Sequence, residues 1–179
     1  MARLRLATVW LGGCSGCHMS FLDLDEWLVE LAALADVVYS PLVDAKEYPD
    51  SVDAVLVEGA VANEDHDRFI RVVRSRSRLV VSFGDCAVTG NVTAIRNQSG
   101  GAEGALRRSY LDPANDGPRI PLGPGAPALL DWVRPVHQVV PVDVFLPGCP
   151  PSAAKIRAVL EALAAGKLPE LSGEQIRFG

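Results

Sequence analysis

The chain has 179 residues, 49% of them hydrophobic and 22% charged, with a formal net charge of −5. Such a length and apolar content suit one domain with a buried core and exclude a disordered chain. The acidic balance excludes a basic nucleic-acid footprint, and no apolar stretch reaches the roughly 18–20 residues of a membrane span.

Residues 3–11 form an apolar run rich in Leu and Val, which reads as a first, buried strand. Arg3 and Arg5 are not paired, the run is short, and no small-residue cleavage site precedes the first cysteine. A strand fits this segment better than a signal peptide, so the expected location is cytoplasmic. The turn Gly12-Gly13-Cys14-Ser15-Gly16-Cys17 follows. Ser20 is the expected N-cap of a helix, with Asp23 as its capping-box partner. Phe21, Leu24, Leu28, Leu31 and Ala35 recur at helical spacing, Trp27 and Leu34 widen the stripe, and the helix is predicted to end near Asp36.

A second strand is predicted over Val37 to Val43, and a third over Val52 to Val57, ending in Glu58-Gly59-Ala60. Asn63 is the predicted cap of a helix with Glu64 and Asp65 in its first turn and Arg71, Arg74 and Arg76 at its far end, signs that suit the helix dipole. Leu79 to Phe83 reads as a fourth strand, running into Gly84-Asp85-Cys86. The stretch from about 94 to 138 is rich in Gly and Pro, including Pro113 and Pro124, and reads as a long functional or partner-covered loop with brief order over 128–133. A fifth strand over Val142 to Leu146 ends in Pro147-Gly148-Cys149-Pro150-Pro151. Ser152 then caps a last helix carrying Ile156, Val159, Leu160, Leu163 and Ala164 on one face, with Gly166 beyond its end and Pro169 as a stop.

Strands alternating with amphipathic helices predict an α/β fold: one doubly wound parallel sheet of about five strands with helices on both faces. Ligands in such sheets gather beyond the carboxyl ends of the strands. Cys14, Cys17, Cys86 and Cys149 are all the cysteines of the chain, and each follows a predicted strand. The four thiols are therefore expected on one edge of the sheet, and four thiolates are what one cubane iron–sulfur cluster takes.

The neighbours suit that role. Gly12, Gly13 and Gly16 let the backbone approach and turn N–H groups toward sulfur. Pro147, Pro150 and Pro151 stiffen the approach to Cys149. Gly13, Gly16, Glu58, Gly148 and Pro150 are the residues expected around the ligands. Three other readings stand beside the cluster. A thioredoxin-like dithiol of Cys14 and Cys17 leaves Cys86 and Cys149 idle. A structural zinc site usually has two paired knuckles, and only one Cys-x-x-Cys is present. Four unrelated buried cysteines would not share strand ends.

The motifs also carry a resemblance. Cys14-Ser15-Gly16-Cys17, Val57-Glu58-Gly59, Gly84-Asp85-Cys86-Ala87-Val88-Thr89-Gly90-Asn91 and Pro147-Gly148-Cys149-Pro150-Pro151 resemble the small subunit of nickel–iron hydrogenases. The 20 kDa subunit of respiratory complex I shares the later motifs but typically carries adjacent cysteines in the first. The resemblance implies a single flavodoxin-like iron–sulfur domain over 1–179 with one 4Fe–4S cluster on Cys14, Cys17, Cys86 and Cys149. It also implies a large subunit bearing the nickel–iron site, which this chain cannot hold with a single Cys-x-x-Cys.

With neither a twin-arginine signal nor a second cysteine-rich domain expected, the short form is similar to the small subunit of soluble, bidirectional, NAD-reducing hydrogenases. Gly-Asp-Cys-Ala-Val-Thr-Gly-Asn resembles that subgroup too. What this implies is a relay of electrons from H2 oxidation to a diaphorase module with iron–sulfur and FMN subunits. Two alternatives are a complex I-like connecting subunit that passes electrons toward quinone and a zinc-stabilised binding module without redox function. An FMN in this chain is the minor reading, because the loop that would bind its phosphate carries Cys14 and Cys17.

Among the remaining residues, Glu58 is expected to satisfy nearby backbone donors and Asp85 to brace its loop. His18 is expected to face a partner, His137 to lie near the cluster or an interface, and His66 to be solvated. Trp10 and Trp27 are expected in the core.

Overall fold

A computed structural model describes residues 3–112, 117–121, 123 and 125–178. In chain order the elements are β1 (Leu4–Trp10), α1 (Gly16–Leu22), α2 (Trp27–Leu34), β2 (Ala35–Tyr39), β3 (Val52–Glu58), β4 (Val61–Asn63), α3 (Glu64–Arg76) and β5 (Ser77–Phe83). Then come α4 (Asp85–Thr89), α5 (Gly101–Tyr110), β6 (Leu129–Arg134), β7 (Val144–Leu146) and α6 (Ala153–Ala164). Short 3-10 turns occupy Asn91–Gln98, Val136–Gln138 and Gly173–Ile176.

Five strands form one sheet in the order β2-β1-β3-β5-β7, and every neighbouring pair is parallel. This is the flavodoxin-like order, as the sequence predicts. Alternation along each strand divides the core in two. Leu4, Leu6, Leu56, Val81, Phe83 and Leu146 pack on one face with Phe21, Trp27 and Leu31 of the first two helices and with Ile156, Leu160 and Leu163 of α6. Ala7, Val9, Val55, Val57 and Val80 pack on the other with Ile70 and Val73 of α3, Val136 and Val140.

Two of the three predicted N-caps form. Asn63 accepts from the His66 backbone N–H at 2.8 Å, and the Ser152 hydroxyl accepts from Lys155 N–H. Gly166 takes the left-handed conformation just past α6. The helix predicted from Ser20 is instead two helices. Asp25 at φ 49 breaks it, α1 starts four residues earlier at Gly16, and β2 follows α2 without a loop. Ser20 lies within α1, where its hydroxyl donates to Pro151 O at 2.6 Å instead of capping.

The predicted loop at 94–138 is more ordered than a Gly/Pro-rich reading allows. It contains the end of a 3-10 turn, α5 and β6, which pairs antiparallel with β4. A Cβ on Gly104 would meet Ser99 O at 2.3 Å, just before the helix, and one on Gly101 would meet Asp131 O of β6 at 2.8 Å, so these glycines mark close backbone approaches, not breaks. Pro113 and Pro124 lie outside the described residues. No helix among the described residues is long and apolar enough to cross a membrane.

Candidate iron–sulfur site

Strand ends bring the cysteines together. Cys14 stands in the loop after β1, Cys17 in the first turn of α1, Cys86 in α4 directly after β5, and Cys149 just after β7. All four line one cavity of about 80 Å³ at the carboxyl edge of the sheet. Cys17 and Cys86 are buried, while Cys14 and Cys149 are exposed. Of the neighbours expected around them, Gly16, Glu58, Gly148 and Pro150 line the cavity. Gly13 lies one layer back, where an added Cβ would come 3.2 Å from Gly59 Cα.

Backbone contacts fix the loops against each other. Gly84 N–H donates to Leu146 O and Asp85 N–H to Gly148 O, at 2.8 and 2.9 Å. The buried Asp85 carboxylate accepts from Gly148 N–H at 2.6 Å, which ties the Cys86 loop to the Cys149 loop as a brace. Ser20, bonded to Pro151, ties α1 to the same loop. Gly84 is held at φ +84, and a Cβ there would fall 2.2 Å from Cys17 Sγ. Only a glycine leaves that sulfur its place.

Glu58 at the floor of the cavity and His18 behind it form a buried pair, 1% and 4% exposed. Glu58 Oε2 accepts from His18 backbone N–H at 3.0 Å and is hydrogen-bonded to His18 Nδ1. His18 Nε2 lies 3.0 Å from Thr8 Oγ1, which donates to Ser40 Oγ at 2.8 Å. The expectation that His18 faces a partner is therefore wrong: the side chain turns inward to a buried carboxylate. The strand pattern carries a signal for this, since Thr8 and Glu58 share the parity of Leu6 and Leu56 and so point under α1.

Two further expectations fail. Trp10 is 47% exposed because it ends β1 beyond the covering helices, whereas Trp27 is buried, with the Arg157 guanidinium 5.1 Å from its ring centroid. His66 is half-buried, not solvated, and its Nδ1 accepts from Ala62 N–H at 3.3 Å. His137 stacks edge-on against Phe145 at 5.6 Å.

Burial pushes the Cys17 thiol up, and the charge of Glu58 and then the three other sulfurs raise it further. Burial also raises Cys86, opposed by hydrogen bonding to Thr93. Four thiolates so close repel one another, and a cationic centre among them is what relieves that repulsion. The donor set is all sulfur, the chemistry of an iron–sulfur cluster. No His, Cys, Asp or Glu group that could hold a single metal ion occurs among the described residues.

Asn91 and Thr93, in the 3-10 turn after α4, complete the rim. Asn91 Nδ2 donates to Cys149 Sγ at 3.4 Å, and Thr93 Oγ1 donates to Gly12 O at 2.8 Å. Thr93 lies outside every motif read from the sequence. Its only local signal is its place two residues past the Gly-Asn that closes the Cys86 motif.

Residues 14–163 match the family described as the 20 kDa subunit of NADH ubiquinone oxidoreductase. The chain is 36% identical over 180 residues to the NAD-reducing hydrogenase HoxS subunit delta of Cupriavidus necator, covering 98% of this chain and 86% of that protein. It is 35% identical over 170 residues to a subunit of the F420-non-reducing hydrogenase of Methanocaldococcus jannaschii, covering 94% of this chain but 58% of the relative. The chain spans less than three-fifths of the length of the F420-non-reducing hydrogenase subunits that it matches in Methanocaldococcus, Methanothermobacter and Methanococcus. A crystal structure of an NAD+-reducing NiFe-hydrogenase in the H2-reduced state contains a chain 38% identical, with a TM-score of 0.93 over 99% of this chain and 100% of that one. The chain belongs to the family of the 20 kDa subunit of NADH ubiquinone oxidoreductase and is a homologue of the delta subunit of NAD-reducing hydrogenase.

Proposed function

We propose that this chain is the electron-transfer small subunit of a cytoplasmic, NAD-reducing nickel–iron hydrogenase. Cys14, Cys17, Cys86 and Cys149 hold one 4Fe–4S cluster. A large subunit supplies the nickel–iron site, and iron–sulfur and FMN diaphorase subunits take the electrons onward to NAD. The observation that carries this reading is the convergence of every cysteine in the chain, from position 14 to position 149, on one cavity. The choice of partners is supported by likeness to the Cupriavidus delta subunit over 86% of that protein, and by the match to a full chain of an NAD+-reducing NiFe-hydrogenase.

A cluster held by these thiolates would supply reversible one-electron transfer. The chain's own residues provide the frame. Gly84 gives Cys17 Sγ its room. Asp85 and Ser20 hold the Cys149 loop from two sides. The Glu58–His18 pair fills the floor with a satisfied polar contact. A rigid frame keeps reorganisation small as an electron arrives and leaves.

A second reading, a connecting subunit that feeds quinone, is favoured by the description of the matched family. Separated cysteines in Cys14-Ser15-Gly16-Cys17 favour the hydrogenase reading over it. A structural zinc site usually pairs two knuckles, and the single Cys-x-x-Cys of this chain disfavours a zinc module.

The test is Cys149→Ser in the assembled complex. We expect lower iron content and loss of H2-driven NAD reduction, with nickel retained by the partner. Undiminished H2-driven NAD reduction would remove Cys149 from the ligand set. Co-purification with a nickel-free, quinone-binding partner would overturn the hydrogenase reading.

A further inference from the structure

The 3-10 turn Asn91–Gln98 begins with the residue that closes the Cys86 motif and reaches the sulfur of Cys149. Asn91 stands at φ +35, a left-handed conformation that Asn tolerates better than most side chains. Its backbone N–H donates to Thr89 Oγ1 at 3.3 Å. Two residues on, Thr93 Oγ1 is anchored to Gly12 O. The turn is thus pinned on both sides, and the Asn91 amide is aimed at Cys149 Sγ, 3.4 Å away.

We propose that Asn91 sets the reduction potential of the site by donating its side-chain N–H to the Cys149 sulfur, holding the potential above the value that the four thiolates alone would give. This inference rests on the cluster reading above. Adding an electron places more negative charge on the ligand sulfurs. A donor to sulfur is stronger in the reduced state than in the oxidised state, and it therefore favours reduction. Asn91 is neutral, so it does this without placing a net charge at the rim.

The experiment is an EPR-monitored redox titration of the anaerobically purified complex, comparing wild type with Asn91→Gly and Asn91→Asp. Glycine accepts the left-handed backbone and removes the donor. Aspartate keeps the shape and replaces the donor with an acceptor. The expected result is a midpoint more negative than wild type in Asn91→Gly and more negative still in Asn91→Asp, with iron content unchanged. An identical midpoint in iron-replete Asn91→Gly would overturn the proposal. Loss of iron from both variants would also overturn it, because Asn91 would then be a structural support of the loop. If wild type gives no iron–sulfur signal that is missing from the Cys149→Ser complex, the cluster reading has failed, an outcome distinct from such a signal whose midpoint the Asn91 variants share.

Discussion

Gly84 shows how little freedom the site leaves a single residue. Its backbone lies at φ +84, and a Cβ would stand 2.2 Å from Cys17 Sγ. Gly84→Ala must strain the backbone and displace the sulfur, at a cost of about 1–3 kcal/mol. We expect reduced iron per chain and a lower unfolding midpoint, measured by metal analysis and calorimetry; full iron content would mean that the sulfur is not fixed by this contact. His66 gives a pH signature away from the site. Burial pushes its imidazole below the ordinary 6.5, in keeping with Nδ1 accepting from Ala62 N–H. The folded chain holds the ring neutral, so the unfolded chain takes up the proton first as pH falls. Stability from this group is present above about pH 6.5 and is lost as pH drops toward the folded-state value. His66→Asn should flatten that part of the stability profile in urea titrations between about pH 7.5 and 5. An unchanged slope would show that the ring is not buried in its neutral form.

At the scale of elements, α3 is the best-defined helix in both sequence and structure. Its first turn carries Glu64, Asp65 and Asp67, its last carries Arg74 and Arg76, and Asn63 caps it. Asn63→Ala is expected to cost about 1 kcal/mol, read as a lower urea midpoint with unchanged m-value; no shift would mean that the cap bond contributes nothing in water. Strands β1, β3 and β5 were legible because runs such as Leu4–Trp10 and Val52–Glu58 are buried on both faces and bounded by turns. The split between α1 and α2 was not legible. Phe21, Leu24, Trp27 and Leu31 keep helical spacing across the break, and the left-handed Asp25 that makes it leaves no hydrophobic signature. For the same reason Ser20 read as a cap, although its partner is Pro151, 131 residues away. α5 was hidden by glycines that serve close packing, a property that only the neighbouring backbone reveals.

At the scale of the whole molecule, a parallel sheet gathers chain segments that are distant in sequence along one edge. That rule was enough to bring four cysteines to one place, because each follows a strand whose neighbours run the same way. It did not reveal what lies beneath them. The inward turn of His18 toward Glu58 depends on where α1 begins, and Gly16 gave no sign of a helix start. The exposure of Trp10 depends on how far the helices reach over the strand ends. The thiols at the rim, Cys14 and Cys149, are exposed in the isolated chain. The relay proposed above would use such an edge, with electrons entering from one partner and leaving to the other.

The most direct test of the cluster claim is metal analysis with EPR on anaerobically purified protein, before and after reduction. About four iron atoms per chain and a signal that appears on reduction are expected. Zinc without iron, or iron that survives replacement of Cys14, Cys17, Cys86 and Cys149 together, would contradict that claim.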